Sequence, residues 1–281
     1  MNTSEHKQVF IQEMKRRGYR ENSIKNYSSC IDVFLSSSTK DHPKNINEQE
    51  IKHFLGNCIR ANTQRNYQSA IKLFYEICLN QKNKFKNIPY CKTEKNLPII
   101  LSVQEIQKMF DVCENKKHKL ILALLYSCSL RVSEIINLKW ENIDRSRMVI
   151  YILNAKGGKD RQVGLNDVLI KLMEEYYRNY KTKSFIFGGQ FSEQYSQKSV
   201  LQVIKQLTKK AGIEKRAYTH LIRHCSASHM VENCIDIHII QKLLRHTNVK
   251  TTMMYTHISH SIISKIPSPL GAINKKKKKN N

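Results

Sequence analysis

Apolar side chains recur every three or four residues along almost all of this chain, and this spacing limits its fold more than any other feature. Such spacing places apolar groups on one side of an α-helix. One segment departs from it, because residues 148–153 form a β-branched and aromatic run that is typical of a strand. The sequence therefore predicts a mainly α protein with a small β-hairpin or sheet.

The first 90 residues predict an all-α module of four short amphipathic helices. The first helix is expected to stop at Gly18, and the others are expected to begin after Ser23, Asn47 and Thr63, residue types that cap helices well. Residues 91–98 are predicted to be a linker, since two prolines enclose few periodic apolar residues there.

A second, larger domain is predicted over residues 99–270, followed by a basic disordered tail over 271–281. Ser102 is the expected cap of its first helix, and the apolar run that starts at Leu120 predicts a buried helix pair. The returning strand of the hairpin is expected near residues 161–165. Further helices are predicted over residues 166–180, 196–211, 219–233 and 236–245, with a short one after Thr256.

The longest uninterrupted apolar run, Leu120–Tyr126, is far shorter than the roughly 20 residues that a bilayer span needs. The N-terminus has no apolar signal region, and the eight cysteines form no C-x-x-C pair. These features predict a cytoplasmic protein with no membrane segment and no disulfide framework.

Basic residues exceed acidic ones on both sides of residue 90. Lys and Arg number 48 and Asp and Glu number 23, which gives a formal net charge of +25. An AT-rich genome that favours lysine codons would also raise this number. A strongly basic chain nevertheless favours a polyanionic partner, and nucleic acid is the first expectation.

His220 and Arg223 are three residues apart, so they share one face of a predicted helix. A guanidinium beside an imidazole suits a phosphate oxygen, although a buried pair between Arg223 and a carboxylate is an alternative. His220 and His224 have the spacing of a helical zinc pair. Leu221 stands where a metalloprotease carries its glutamate, so no metal is expected.

Arg131 follows a strongly apolar run and needs a partner if it is buried. Glu134 lies one helical turn further on, so the pair is a phosphate site with its support or a structural ion pair. Lys156 lies in a Lys- and Gly-rich hairpin tip that could cover a ligand or simply be an exposed turn. His246 ends a predicted helix, and a loop then leads to Tyr255; packing roles are the alternative for both.

Together these residues form a complete set for phosphoryl transfer without a metal or another cofactor. A tyrosine can attack phosphorus when its proton has an acceptor and the developing charge is stabilised. Arginines and imidazoles can supply that stabilisation, and a lysine can protonate the departing oxygen.

Four motifs resemble those of the tyrosine recombinases, also called phage-integrase-type, and within them the Xer-like and mobile-element integrases. The resemblance is strong over about residues 97–266 and weaker over the helical front part, and the nine-residue step from His246 to Tyr255 belongs to it. The motifs are LRVSEIINLKW (130–140), AKGGKDRQVGL (155–165), HLIRH (220–224) and LLRHTNVKTTMMYTH (243–257).

The resemblance implies an enzyme that acts on double-stranded DNA and has two domains. One is an all-α core-binding domain, and the other is a mixed, mostly helical catalytic domain. It implies a homo-oligomer, a tetramer on paired sites, or an assembly with a related recombinase. Tyr255 is the implied nucleophile and Lys156 the proton donor to the leaving group, with Lys159 as a rival. The implied phosphate ligands are Arg131, His220, Arg223 and His246, and Glu134 is a supporting residue. The two histidines are also implied to assist proton transfer.

Three positions depart from the family's pattern. Ser129 and Arg245 stand where glycine is common, and Ile222 replaces a frequent leucine. A type IB topoisomerase, which resembles this family in its catalytic residues, is one alternative function. A non-catalytic DNA-binding relative is the other.

Overall fold

The computed structural model describes residues 3–40, 42–92, 99–153, 160–189 and 192–256. The chain divides into two compact units, Met1–Asn96 and Leu97–Asn281. Both are mostly helical within the described residues, and the second contains one small sheet. The predicted fold class is therefore confirmed.

The described part of the first unit contains four α-helices around an apolar core. Edge-to-face rings fill its centre, where Phe10, Phe34 and Phe74 are buried together with Tyr75. The helices are α1 (Thr3–Arg16), α2 (Glu21–Ser36), α3 (Glu48–Gly56) and α4 (Ala61–Ile77), and short 3-10 helices cover Pro43–Asn45 and Lys82–Phe85.

Two of the predicted helix caps are wrong. Helices α2 and α4 begin before Ser23 and Thr63, which therefore lie in the first turns. The residues that precede these helices, Arg20 and Arg60, make no capping hydrogen bond with their side chains. Short polar residues are tolerated in a first turn because its backbone N–H groups have no partner within the helix. The prediction at Asn47 is confirmed, since its side chain accepts from the backbone of α3.

The second unit begins its helical part at Ser102, which caps the first helix as predicted. Residues 120–125 are buried at the centre of its core and belong to the second helix. The helices are α5 (Val103–Asp111), α6 (Lys116–Ser127), α7 (Val132–Ile136), α8 (Asp167–Tyr180), α9 (Gln197–Lys210), α10 (Thr219–Glu232), α11 (Ile237–Leu244) and α12 (Val249–Met253). Helix α12 was not predicted, and the helix expected after Thr256 lies outside the described residues.

Three antiparallel strands form the sheet, in the order β1 (Ile143–Asp144), β2 (Val149–Ile152) and β3 (Arg161–Gly164). The pairing of Ile152 with Arg161 sets the register of the last two strands. Alternation along β3 then turns Arg161 and Val163 to the buried side of the sheet. This register carries an arginine into the interior, towards the ends of α7 and α11.

Among the described residues, none of the helices combines the length and the apolarity that crossing a membrane requires.

Candidate active site

Three arginine side chains meet at the C-terminal end of α11. Arg131 donates to the Leu244 carbonyl oxygen over 3.3 Å, and Arg223 donates to the same oxygen. Arg161 donates to the neighbouring carbonyl of Leu243. The last carbonyls of a helix have no partner within it and carry its partial negative charge. The end of α11 therefore holds three guanidinium groups close together.

Glu134 is the carboxylate that joins two of these arginines. It accepts from Arg131 through the backbone N–H at 2.7 Å and through Nη1 at 2.9 Å, and from Arg161 Nη2 at 2.6 Å. Burial alone would raise the pKa of Glu134, but the charges of Arg161 and Arg131 and the hydrogen bond from the Arg131 backbone hold it below its ordinary value. The carboxylate therefore stays ionised between the two cations.

Arg223 lies deeper than Arg131, with only 1% of the residue exposed. Besides Leu244, it donates to the backbone carbonyl of Ser129. Burial, followed by the nearby charges of Arg131 and Arg161, lowers the pKa of Arg223 to about 9, so the group is still a cation at neutral pH. Its hydrogen bonds go to backbone carbonyls rather than to a carboxylate, so the structure does not favour the alternative of a buried ion pair for this residue.

Three imidazoles lie beside the arginines. His220 and His224 share a face of α10, with ring centroids 4.5 Å apart. His246 follows α11, and its Nδ1 lies 3.0 Å from the Thr252 hydroxyl at the end of α12. The second contact orients the imidazole of His246 from one side and joins the end of α11 to α12.

Tyr255 lies two residues beyond α12, with 1% of the residue exposed. Its hydroxyl lies 2.8 Å from Nδ1 of His224, and its ring stacks on His246 with centroids 6.4 Å apart. Burial raises the pKa of Tyr255 to about 12, although the positive charge of Arg223 opposes the shift. The phenol is therefore protonated at neutral pH and needs an acceptor for its proton if it is to react.

The structure thus brings most of the predicted site residues together. Arg131, His220, Arg223, His246 and Tyr255 surround one region of the second unit, with Glu134 behind Arg131. Lys156 and its rival Lys159 lie outside the described residues. Within the described ranges, His, Cys, Asp and Glu side chains form no group of three that could hold a metal ion.

Two residues of the site were missed from the sequence. The sequence pattern predicts only a place in the returning strand for Arg161, although the alternation that buries Val163 also buries Arg161. The spacing of His224 indicates only a zinc pair with His220. Its contact with Tyr255 joins two distant segments, which helical spacing alone does not reveal.

The two positions where glycine is common in the family have left-handed backbones. The φ angles are +48° at Ser129 and +52° at Arg245, a region that favours glycine because it has no Cβ. Both residues shape the arginine cluster, since Ser129 presents its carbonyl to Arg223 and Arg245 ends α11. These departures therefore strain the backbone beside the site.

Replacing Arg245 by glycine is expected to raise the free energy of unfolding by about 1 kcal/mol, because the left-handed residue loses its steric penalty. The change also removes Nη1 of Arg245, which is buried without a hydrogen-bond partner among the described residues. Lys181→Gly is the matched control, since Lys181 ends α8 at φ +45° and is exposed. Urea unfolding measures both changes, and a loss of stability in Arg245→Gly would contradict this explanation.

The pKa values of the site imidazoles predict weaker folding in acid. Burial, with nearby arginine and histidine charges, lowers the pKa of both His224 and His246 to about 4. The unfolded chain therefore binds protons first as the pH falls below about 6.5. The stability that the two neutral imidazoles contribute is fully present above that pH and is lost as the pH falls towards 4. The loss is about 2–4 kcal/mol in total for the two groups.

Urea unfolding at pH 7.5, 6 and 5 measures this loss. His6, His118 and His229 also have lowered pKa values, so wild-type protein is compared with the double variant His224→Asn/His246→Asn. The double variant should lose less stability between pH 7.5 and 5. An unchanged pH dependence would show that these imidazoles are not the source.

Glu134→Gln is expected to cost about 3–5 kcal/mol of folding free energy, because it leaves the buried Arg161 without its counterion. Arg161→Gln should cost a similar amount, and the double variant should cost clearly less than the two together. The exposed pair of Arg145 and Glu174 provides the control, and Arg145→Gln should cost under about 1 kcal/mol. If the loss in the double variant equals the sum of the losses in Glu134→Gln and Arg161→Gln, the two residues act independently.

The fold and the site together define the class of tyrosine recombinases. A mostly helical unit with a three-stranded sheet presents arginine, histidine and tyrosine side chains at one helix end. The chain belongs to the phage integrase family, because residues 100–261 match the family's profile. Residues 8–84 match the N-terminal SAM-like domain of phage integrases. The chain is therefore an enzyme of tyrosine-type site-specific recombination.

Relatives of similar length support this assignment. The tyrosine recombinase XerA of Saccharolobus solfataricus is 27% identical over 262 residues, which cover 89% of this chain and 87% of the relative. The tyrosine recombinase XerC of Staphylococcus saprophyticus is 27% identical, with 92% of this chain and 94% of the relative covered. The matched proteins are recombinases and give no support to the topoisomerase alternative.

Solved structures show the same fold. A crystal structure of XerA recombinase is 26% identical, with a TM-score of 0.56 and coverage of 94% of this chain and 97% of that chain. A lambda integrase tetramer bound to a Holliday junction has a TM-score of 0.77 at 17% identity, with coverage of 91% and 77%. At that identity the second likeness concerns the fold alone.

Proposed function

We propose that this chain cuts and rejoins double-stranded DNA through a covalent 3′-phosphotyrosyl intermediate on Tyr255. The observation that carries the proposal is the meeting of two arginines, three imidazoles and one phenol around the end of α11. Burial first, and then the charges of this cluster, lower the pKa values of His220, His246 and Arg223. A bound phosphate would relieve that repulsion, so the site is suited to an anion.

Each residue has a proposed role in the transfer. Arg131 and Arg223 bind nonbridging oxygens of the scissile phosphate, and His220 and His246 stabilise the same charge. Tyr255 attacks phosphorus and displaces the 5′ oxygen, which Lys156 protonates to give the free 5′-hydroxyl. Glu134 holds Arg131 in place through its two hydrogen bonds. A 5′-hydroxyl of a partner duplex reverses the step, and because the ester retains the bond energy, neither ATP nor a metal is required.

The proposed assembly is an oligomer on paired DNA sites, formed by copies of this chain or with a related recombinase. Structures of lambda integrase on DNA, as a dimer on a core site and as a tetramer on a Holliday junction, support this arrangement for the fold. The net charge of +25 supports a DNA partner. The free state of all eight cysteines is consistent with work in a reducing cytoplasm.

The test uses a binding site selected from random duplexes by the protein itself. A plasmid with two copies of the site should yield excised or inverted products, while a plasmid with one copy should show little relaxation. A nicked duplex of the same site should trap a covalent complex. Efficient relaxation without exchange would indicate a topoisomerase, and binding with no covalent complex would indicate a non-catalytic relative.

A further inference from the structure

The side chain of His224 contacts the phenol oxygen of Tyr255. Its Nδ1 lies 2.8 Å from that oxygen, a normal hydrogen-bond distance. The two ring centroids are 5.7 Å apart with an angle of 49° between the planes. The imidazole therefore faces the hydroxyl through a ring nitrogen rather than stacking on the ring.

The surroundings of His224 keep it able to accept a proton. Burial first, and then the charges of His220, Arg223 and His246, lower the pKa of His224 to about 4. The ring is therefore neutral near pH 7. When Nε2 carries its hydrogen, Nδ1 has a free lone pair, and the protonated phenol of Tyr255 is the donor in this contact.

Binding of DNA would make His224 a stronger base. The groups that face it are His220 and Arg223 on α10, His246 after α11 and Tyr255 after α12. All except the phenol are cations or potential cations, and their repulsion adds to the effect of burial in keeping a proton off His224. A phosphate bound among them would offset this repulsion when the phenol must lose its proton.

We propose that His224 is a catalytic residue of the strand-cleavage step, as the group that accepts the hydroxyl proton of Tyr255. As the bond from the phenol oxygen to phosphorus forms and the bond from phosphorus to the 5′ oxygen breaks, the hydroxyl proton moves to Nδ1. In rejoining, the resulting imidazolium returns that proton to the departing phenol oxygen. This inference rests on the proposed role of Tyr255 as the nucleophile.

The test isolates activation of the nucleophile from protonation of the leaving group. A duplex with sulfur at the 5′ bridging position releases a thiolate, which needs no proton, so its single-turnover cleavage reports chiefly on Tyr255. We compare wild-type protein with His224→Ala and His224→Asn, in which the amide oxygen still accepts a hydrogen bond but cannot take the proton. His238→Ala is the control, because His238 is an exposed histidine at the start of α11.

Both His224 variants should cleave this substrate about 10²–10⁴ times more slowly than wild-type protein while binding DNA normally. Imidazole in the buffer should partly restore His224→Ala. The acid limb of the wild-type pH–rate profile should disappear in both variants, because only the unprotonated ring accepts a proton. His238→Ala should match wild-type protein.

Three outcomes would overturn the inference. Wild-type cleavage rates in His224→Asn would mean that the histidine only positions the phenol. Faster cleavage in His224→Ala would mean that it restrains Tyr255, and an unchanged rate would remove any role in cleavage. Failure of wild-type protein to form a covalent complex would instead overturn the proposed function, so the two failures are distinguishable.

Discussion

Replacing Tyr255 by phenylalanine is expected to abolish the covalent DNA complex while DNA binding stays within about twofold of wild type. The ring of Tyr255 lies in a small apolar cluster with Ala227, Val231, Ile240 and Leu244, and phenylalanine fills the same space. The fold should therefore survive, and only the attacking oxygen is lost. Trapping on a nicked duplex measures the complex, and a gel-shift titration measures binding.

A second, partly buried pair of tyrosine and histidine in the same unit provides the control. The hydroxyl of Tyr126 lies 2.8 Å from Nδ1 of His229, also on α10. Tyr126→Phe makes the same chemical change against the same type of partner, away from the arginine cluster. It should leave covalent trapping intact, and equal losses in both variants would indicate general damage to α10 rather than loss of a nucleophile.

Replacing Arg223 by alanine is expected to slow cleavage by about 10³-fold or more, with a much smaller effect on DNA affinity. The guanidinium lies at the centre of the cluster, fully buried, and in the proposed reaction it stabilises charge that develops on the phosphate. Affinity depends on many phosphate contacts along the duplex, so one lost contact changes it little. Single-turnover cleavage and a binding titration separate the two effects.

Arg223→Lys distinguishes chemistry from folding in this experiment. Lysine keeps the charge and most of the volume, but it cannot donate to the Leu244 and Ser129 carbonyls from a rigid fork. It should fold more stably than Arg223→Ala and still cleave slowly. Arg178→Ala, at an exposed position on α8, should cleave like wild-type protein. A fast Arg223→Lys variant would show that charge alone suffices there.

Much of the fold could be predicted from the sequence, because helix periodicity depends on local spacing. The helices around Leu120 and over 219–233, and the strand over 148–153, are found close to the expected limits. The helix starts near Ser23 and Thr63 were misplaced, since a polar residue in a first turn looks like a cap in sequence. Strand β1 has two residues, too few to show any alternation.

Most residues of the candidate site, with Glu134 as a support for Arg131, could also be predicted from the sequence, but the parts of Arg161 and His224 in it could not. Residue types and family motifs pointed to Arg131, Arg223 and Tyr255, and the structure brings them together. The contacts of Arg161 with Glu134 and of His224 with Tyr255 depend on sheet register and helix packing. Such contacts join segments far apart in the chain, where no local spacing rule applies.

The two positions that lack the family's common glycine show the same limit of prediction from sequence. The sequence marked Ser129 and Arg245 as unusual, but only the φ angles show that both have left-handed backbones. The carbonyl of Ser129 accepts from Arg223, and Arg245 ends α11, so the strained backbone lies beside the arginine cluster. A residue other than glycine at such a motif position can therefore store strain beside the site.

Protease digestion of the trapped wild-type complex, followed by mass spectrometry of the nucleotide-bearing peptide, identifies the nucleophile. One modified residue is expected, Tyr255, joined to the 3′ phosphate of the cleaved strand, with a free 5′-hydroxyl on the released strand. A nucleotide on any other side chain, or a 5′-linked phosphate, would contradict it.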